Sequence, residues 1–282
     1  MFNFRLKLVC IKLLCLLITV LISFISRSQV IRQPLSIDSG PGAYSKNFSD
    51  IFSAVSNQAS LAQLKTAGFG VYGERRFMLK ELNAYSAIAA FPTTSGTFGF
   101  QGDYFGSAAF NESQLGILYA RKISQQIDIG VKFNYYAVRI PEYKSVSTVN
   151  FEGGAIFHFT NQFHAGFHLY NPSKSSLGKS GYEKLASVYS FGVGYEASEI
   201  VFFSAELVKQ EARQISVIAG LQYNILKNVF LRTGISTLAG SSFVSIGYKL
   251  SFARIAINTA YHPQLGFTPA VLLLFDLKKA KD

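Results

Sequence analysis

From Ala67 onward the chain repeats one pattern: about ten residues alternating apolar and polar, then a few turn residues. Ile127, Ile129, Val131, Phe133 and Tyr135 share one face, while Asp128, Gly130, Lys132, Asn134 and Tyr136 share the other. Ile215, Val217, Ala219, Leu221 and Tyr223 oppose Gln214, Ser216, Gly220, Gln222 and Asn224 in the same way. So do Phe163, Ala165, Phe167 and Leu169 against His164, Gly166, His168 and Tyr170. A period of two with one apolar face is a half-buried strand, and helical spacing fits none of these segments. Such segments lie near 67–77, 82–92, 97–106, 112–123, 127–139, 147–159, 163–170, 185–196, 200–208, 213–225, 229–238, 243–250, 254–262 and 267–277.

Composition decides what kind of strand protein this is. The chain is 49% hydrophobic but only 15% charged, against about 25% charged in an ordinary soluble domain. That much apolar surface excludes intrinsic disorder. After residue 28 no run approaches the ~18–20 apolar residues a spanning helix needs, which excludes a multi-pass helical protein. Strands of about 9–11 residues, in an even number, are what a bacterial membrane barrel requires. The connections sort as a membrane barrel sorts them, short on one side and longer on the other. Thr93–Gly96, Ser124–Gln126, Thr160–Gln162, Ala197–Glu199, Leu226–Asn228 and Ser251–Ala253 are tight. The other set holds Pro141–Val146 and the long, Ser/Gly/Lys-rich Asn171–Lys184. The expected fold is all-β: a closed antiparallel transmembrane β-barrel of about fourteen strands.

The start of the chain is an address. Arg5, Lys7 and Lys12 precede an apolar core, Leu13–Ile25, and Ser26-Arg27-Ser28 supplies small residues for cleavage before Gln29. The chain divides into a signal peptide (1–28), an N-terminal hatch segment (29–66) and a barrel (67–282). Cys10 and Cys15 both fall inside the signal, so the exported chain takes its rigidity from the closed sheet rather than from disulfides. The signal's four basic residues lower the formal charge from +11 to +7 beyond it, and no Lys/Arg block occurs. Export and scattered charge argue against nucleic acid and for outer-membrane lipid and glycolipid as partners.

Residues 34–64 break the strand pattern. Ser36–Ala43 is turn-rich, and Ser49-Asp50-Ile51-Phe52-Ser53-Ala54-Val55 reads as a short helix with Ser49 as its cap. Ser56-Asn57-Gln58-Ala59-Ser60-Leu61-Ala62 follows. This stretch resembles the N-terminal hatch of the fatty-acid-transporter-like outer-membrane barrels, nearest to the PorV/PorQ group associated with type IX protein secretion. Asp50, Asn57, Ala59, Leu61 and Ala62 carry the likeness, while Gln58 and Ser60 stand where that group usually has Pro and Gly. Ala165–Pro172 and Tyr189–Tyr195 are similar to its strand segments on either side of the long loop. From the residues alone, the segment is a plug at the periplasmic mouth or a periplasmic linker.

Little catalytic chemistry is legible. His158 and His164 face each other across a tight turn, but two ligands without a third make a poor metal site. His168, about 13 Å along its strand, cannot join them. No Gly-x-Ser-x-Gly elbow and no phosphate-binding glycine motif occurs. Inward carboxylates (Asp128, Glu152, Glu206) are expected to pair with Lys132, Arg232 and their neighbours. Arg232, Lys249 and Arg254 point inward on three successive strands. They form either a lumen site for an anion or ligand carboxylate, or charges neutralised by Asp38, Asp50 or Glu206. Pro269 in the last strand, with Gly68 and Gly70 in the first, marks a seam where a lateral opening is conceivable.

The resemblance implies a non-enzymatic outer-membrane protein of a Gram-negative bacterium, with both termini periplasmic and no cofactor. It would serve as a secretion-linked scaffold whose partners are secretion-system or cargo proteins. The alternative is a fatty-acid-transporter-like channel for a hydrophobic small molecule, and a third reading is an outer-membrane hydrolase. A channel predicts an apolar pocket beneath the long loop with a kinked strand beside it. A scaffold predicts a filled lumen, with function carried by the loop Asn171–Lys184. A hydrolase predicts a serine within hydrogen-bonding reach of His158 or His164.

Overall fold

The computed structural model describes residues 29–30, 41–141, 145–178, 183–211, 213–237 and 240–277. Fourteen strands form the wall. They are β1 (Gly68–Arg75), β2 (Asn83–Thr93), β3 (Gly96–Gly106), β4 (Asn111–Lys122), β5 (Ile127–Arg139), β6 (Val146–His158) and β7 (Phe163–Tyr170). The rest are β8 (Val188–Glu196), β9 (Val201–Gln210), β10 (Ser216–Asn224), β11 (Val229–Ser236), β12 (Ser241–Lys249), β13 (Ala253–His262) and β14 (Gly266–Asp276). Each pairs antiparallel with the next, and β14 returns to β1 from Asp276↔Gly68 to Ala270↔Glu74, so the barrel closes.

Facing follows the alternation. Leu115, Phe133, Val149 and Ile257 point outward and stay more than half exposed. Asp128, Lys132, Asn134 and Glu152 point inward and are buried. An apolar outer band around a polar interior is the reverse of a soluble protein and is what hydrocarbon surroundings select.

The two ends differ. One carries six connections of two to four residues; the other carries seven that range from three residues to the seventeen of 171–187. Inside that long connection, Ser176–Leu177 and Glu183–Leu185 form an antiparallel pair, which Gln29–Val30 extends in parallel. The described start of the chain therefore lies at the long-loop end, not beside the hatch as the sequence suggested. Backbone pairing to a free strand edge holds it there. The signal peptide with its cleavage site, Asp38, and part of both long connections lie outside the described residues.

The hatch is three 3₁₀ segments, Pro41–Tyr44, Ile51–Val55 and Gln58–Gln63. The expected single helix with a Ser49 cap is corrected. The cap is Asp50, whose carboxylate accepts from the N–H groups of Phe52 (3.0 Å) and Ser53 (3.2 Å). The Ser53 hydroxyl accepts in return from Asp50 N–H at 3.0 Å, a reciprocal capping box. Five residues are too few to offset the cost of an α-helical nucleus, so the turn stays tight.

These segments sit within the barrel, at the tight-turn end. Ile51, Phe52 and Leu61 pack on a strip of inner wall formed by Tyr72, Ile88, Leu118, Phe230, Leu272 and Leu274. Each such side chain contributes about 1.5–3 kcal/mol of burial. At the opposite end Leu177 and Leu185 fold down onto Tyr136, Val138 and Tyr170. Residues 41–63 thus lie against the inner wall of the barrel.

Candidate functional site

Among the described residues, hatch and wall meet through a dense set of buried polar contacts. Twice over, a hatch glutamine and a wall histidine converge on one carboxylate oxygen. The Gln58 amide and His168 Nε2 (3.0 Å) both meet Glu152 Oε2. The Gln63 amide and His158 Nε2 (2.8 Å) both meet Asp128 Oδ2. Glu196, at the end of β8, accepts from Ser45 Oγ (2.7 Å), Lys46 N–H (2.7 Å) and the Asn47 side-chain amide (2.6 Å). Asn57 donates to the carbonyls of Ala155 (3.4 Å) and Phe167 (3.0 Å), tying the hatch to β6 and β7. Ala59 and Leu61 are buried against the wall, and Ala62 packs at the edge of the same apolar strip.

The wall makes room for this by omitting side chains. A Cβ on Gly192 would lie 2.0 Å from the Tyr44 ring, and one on Gly130 would lie 2.5 Å from the Ala59 backbone nitrogen. One on Gly154 would lie 2.2 Å from Asn57 Oδ1. The single strand glycines carry no motif in the sequence, yet here they are the seat.

The inward carboxylates pair otherwise than expected, except for Glu152, which takes Lys132 at 3.2 Å. Asp128 goes to His158. Arg232 turns not to Glu206 but to the hatch, donating to Asp50 at 3.0 Å and to Gln222 at 2.8 Å. Lys249 and Arg254 are cross-strand partners. Arg254 lies 4.0 Å from Asp50 and 3.7 Å from Asp276, while Lys249 Nζ rests on Asn224 Oδ1 (3.1 Å) and over the Phe230 ring. The three cations do gather, at the hatch end of the lumen, with Asp50 among them.

His158 and His164 meet through their Nδ1 atoms at 2.9 Å, and His164 Nε2 points to Glu196 Oε1 at 3.2 Å. Every ring nitrogen of the pair is thus engaged with a group other than a serine hydroxyl, and the histidines serve the hatch seat. Among the described residues no group of three or more His, Cys, Asp or Glu is placed to hold a metal.

At the seam, Gly70 pairs with Leu274 and Gly68 with Asp276 in a continuous ladder. The space above Gly70 is taken by the Leu274 side chain and the Phe52 ring, so the hatch fills it from within. Pro269 is one residue beyond the last pair with β1. By the same register Pro269 falls opposite Arg75, the last residue of β1, which is still paired with Asn83. The turn at Arg76–Met78 follows, where the Phe77 N–H donates to Thr268 Oγ1 at 3.1 Å.

This architecture has known counterparts. The Pseudomonas putida toluene transporter TodX superposes with a TM-score of 0.59 at 8% identity, over 90% of this chain and 96% of that one. The fold is that of the hydrocarbon channels. CymD, a monoaromatic hydrocarbon channel, aligns with a TM-score of 0.57 at 12% identity, covering 82% of this chain and 94% of that one. A FadL homologue of Pseudomonas aeruginosa gives 0.58 at 10% identity, over 85% and 96%. No family model matches the sequence, and no curated relative does. The fatty-acid-transporter-like part of the sequence resemblance thus holds at the level of fold. The PorV/PorQ affiliation and the secretion role gain no support, because these neighbours are channels and transporters.

Proposed function

We propose that this chain is a non-enzymatic outer-membrane channel for small hydrophobic solutes, gated by its own hatch. One observation carries the reading: a segment inside the barrel packs its apolar side chains on an apolar strip of inner wall. When the hatch shifts, Tyr72, Ile88, Leu118, Phe230, Leu272 and Leu274 become the surface a solute meets. A purely polar pore has no use for such a strip. The apolar cluster of Tyr136, Val138 and Tyr170 under the long loop fits the same role at the far end. The cations Lys249 and Arg254, beside the hatch, suit the carboxylate of an acidic solute. The neighbours named for toluene and monoaromatic hydrocarbons support the solute class by analogy of fold alone.

The test uses a lock. A Cβ on Gly154 falls 2.9 Å from Asn57 Cγ, close to the spacing of Cβ and the far sulfur in a disulfide. Asn57→Cys with Gly154→Cys, in a chain without other cysteines after residue 28, joins hatch to wall. Reduced protein in lipid vesicles is expected to take up toluene faster than protein-free vesicles, and oxidation to abolish the difference. Reduced protein no faster than bare lipid removes the channel. Equal uptake in both states removes the hatch as its gate.

A second route has its own observation. Phe77 and Met78 take consecutive left-handed conformations, φ 53° and 62°, in the turn that follows Arg75, the residue opposite Pro269. Non-glycine residues held this way cost about 1–3 kcal/mol each. We propose a sideways exit for solutes at this end of the β14–β1 seam, supported by the strained turn beside it.

A further inference from the structure

We infer that His158 and His164 share a single proton, and that this proton sets the pH window in which the hatch stays docked. The argument is a proton count. Each ring aims Nε2 at a carboxylate, His158 at Asp128 (2.8 Å) and His164 at Glu196 (3.2 Å). An acceptor there requires an N–H on each Nε2. The Nδ1 atoms then face each other at 2.9 Å. With no further proton, two lone pairs oppose; with two, two N–H groups oppose. Only one proton makes a hydrogen bond. The docked cluster of two rings and two carboxylates therefore holds three protons, one in each of its three contacts.

The surroundings hold that count. Both rings are buried, as are Asp128 and Glu196. From the hatch, Gln63 donates to Asp128, and Ser45, Lys46 N–H and Asn47 donate to Glu196. From the wall, Lys122 is the cross-strand partner of Asp128 and remains exposed. Further along the strands, beyond the Gly130–Gly154 pair, Lys132 and Glu152 join His168 and Gln58 in a second cluster with its own ion pairs. The carboxylates that orient the two rings are the same ones that receive the hatch.

The sign follows. The docked cluster keeps its three protons throughout, whereas the released rings, open to water, carry one more at low pH and one fewer at high pH. Lowering the pH through the imidazole range favours release because the released state then holds more protons. Raising it favours release because the docked state then holds more. Docking is tightest between.

Reporting on the hatch itself separates this from solute transport. Ser60 is 1% exposed in the hatch, and Ser95 is exposed in a tight turn. Ser60→Cys and Ser95→Cys, each the sole cysteine of the exported chain, are labelled with a maleimide across about pH 5 to 8. The ratio of the two rates cancels the thiol's own titration. The ratio is expected to pass through a minimum and to rise on the acid side by up to about tenfold per pH unit, the slope of one proton per release. His158→Gln with His164→Gln keeps an N–H toward each carboxylate and deletes both Nδ1 atoms, so its ratio should be flat. A flat ratio in the parent, or the parent's full pH dependence surviving in the double variant, overturns the proposal. Strand circular dichroism of both proteins shows that the barrel has formed. Either result stands whether or not the protein passes toluene.

Discussion

Asp50 does two jobs that one substitution can separate. Its carboxylate caps the 3₁₀ turn through Phe52 and Ser53, and it neutralises Arg232 at 3.0 Å. Asparagine caps about as well as aspartate but leaves the guanidinium buried without its counter-charge. Breaking a buried pair by removing one partner costs about 3–5 kcal/mol, whereas losing a cap costs about 1. Asp50→Asn is therefore expected to loosen hatch docking strongly, and Arg232→Gln in that background to restore part of the loss. Denaturant-dependent labelling of Ser60→Cys measures both. Equal docking in Asp50→Asn and the parent would mean that the cap, not the ion pair, holds this corner. The sequence shows three inward cations and offers Asp50 among several neutralising groups, since alternation fixes a side chain's face. It leaves open which acid meets which base, because that depends on the path of a hatch with no period of its own.

At the scale of the element, the strands were legible and the hatch only half so. Every strand begins and ends within a few residues of where the alternation puts it, because one apolar and one polar face admit a single register. The hatch lacks such a rule. Its segments are too short for helical periodicity to show, and the glycines that receive them look like ordinary strand glycines. Their meaning appears only when Tyr44 is found over Gly192 and Asn57 over Gly154. This gives a clean test of the seat. Gly192→Ala puts a methyl 2.0 Å from the Tyr44 ring, on a strand whose own pairing is unaffected. Overpacking of this kind costs about 1–3 kcal/mol, and it should fall on hatch docking rather than on barrel assembly. Tyr44→Ala in the same chain removes the clash, so the double variant should label no faster than Tyr44→Ala alone. Labelling in the double variant that exceeds both singles would place the damage in the strand.

Across the whole molecule the sheet divides the chain between two solvents, lipid outside and a packed polar interior within. That division alters what a charge does at neighbouring positions of one strand. In a water-filled lumen, Asp128→Arg would be milder than an arginine on the lipid face. Here Asp128 is the acceptor for both Gln63 and His158, so arginine there should release the hatch while the wall still assembles. Phe133 lies on the same strand but points outward, 61% exposed to the apolar surroundings. Phe133→Arg should destabilise the folded barrel by about 2–4 kcal/mol if it sits at the bilayer midplane, falling towards zero at the rims. Gln126→Arg, in the tight turn before β5, supplies the rim control. Folding titrations in vesicles should therefore rank Phe133→Arg well below Gln126→Arg, with Asp128→Arg closer to the control in barrel stability. In labelling of Ser60→Cys the order should reverse, with Asp128→Arg fastest. If Phe133→Arg and Gln126→Arg fold equally well, the outer face does not lie in hydrocarbon, and the membrane barrel itself would have to be given up.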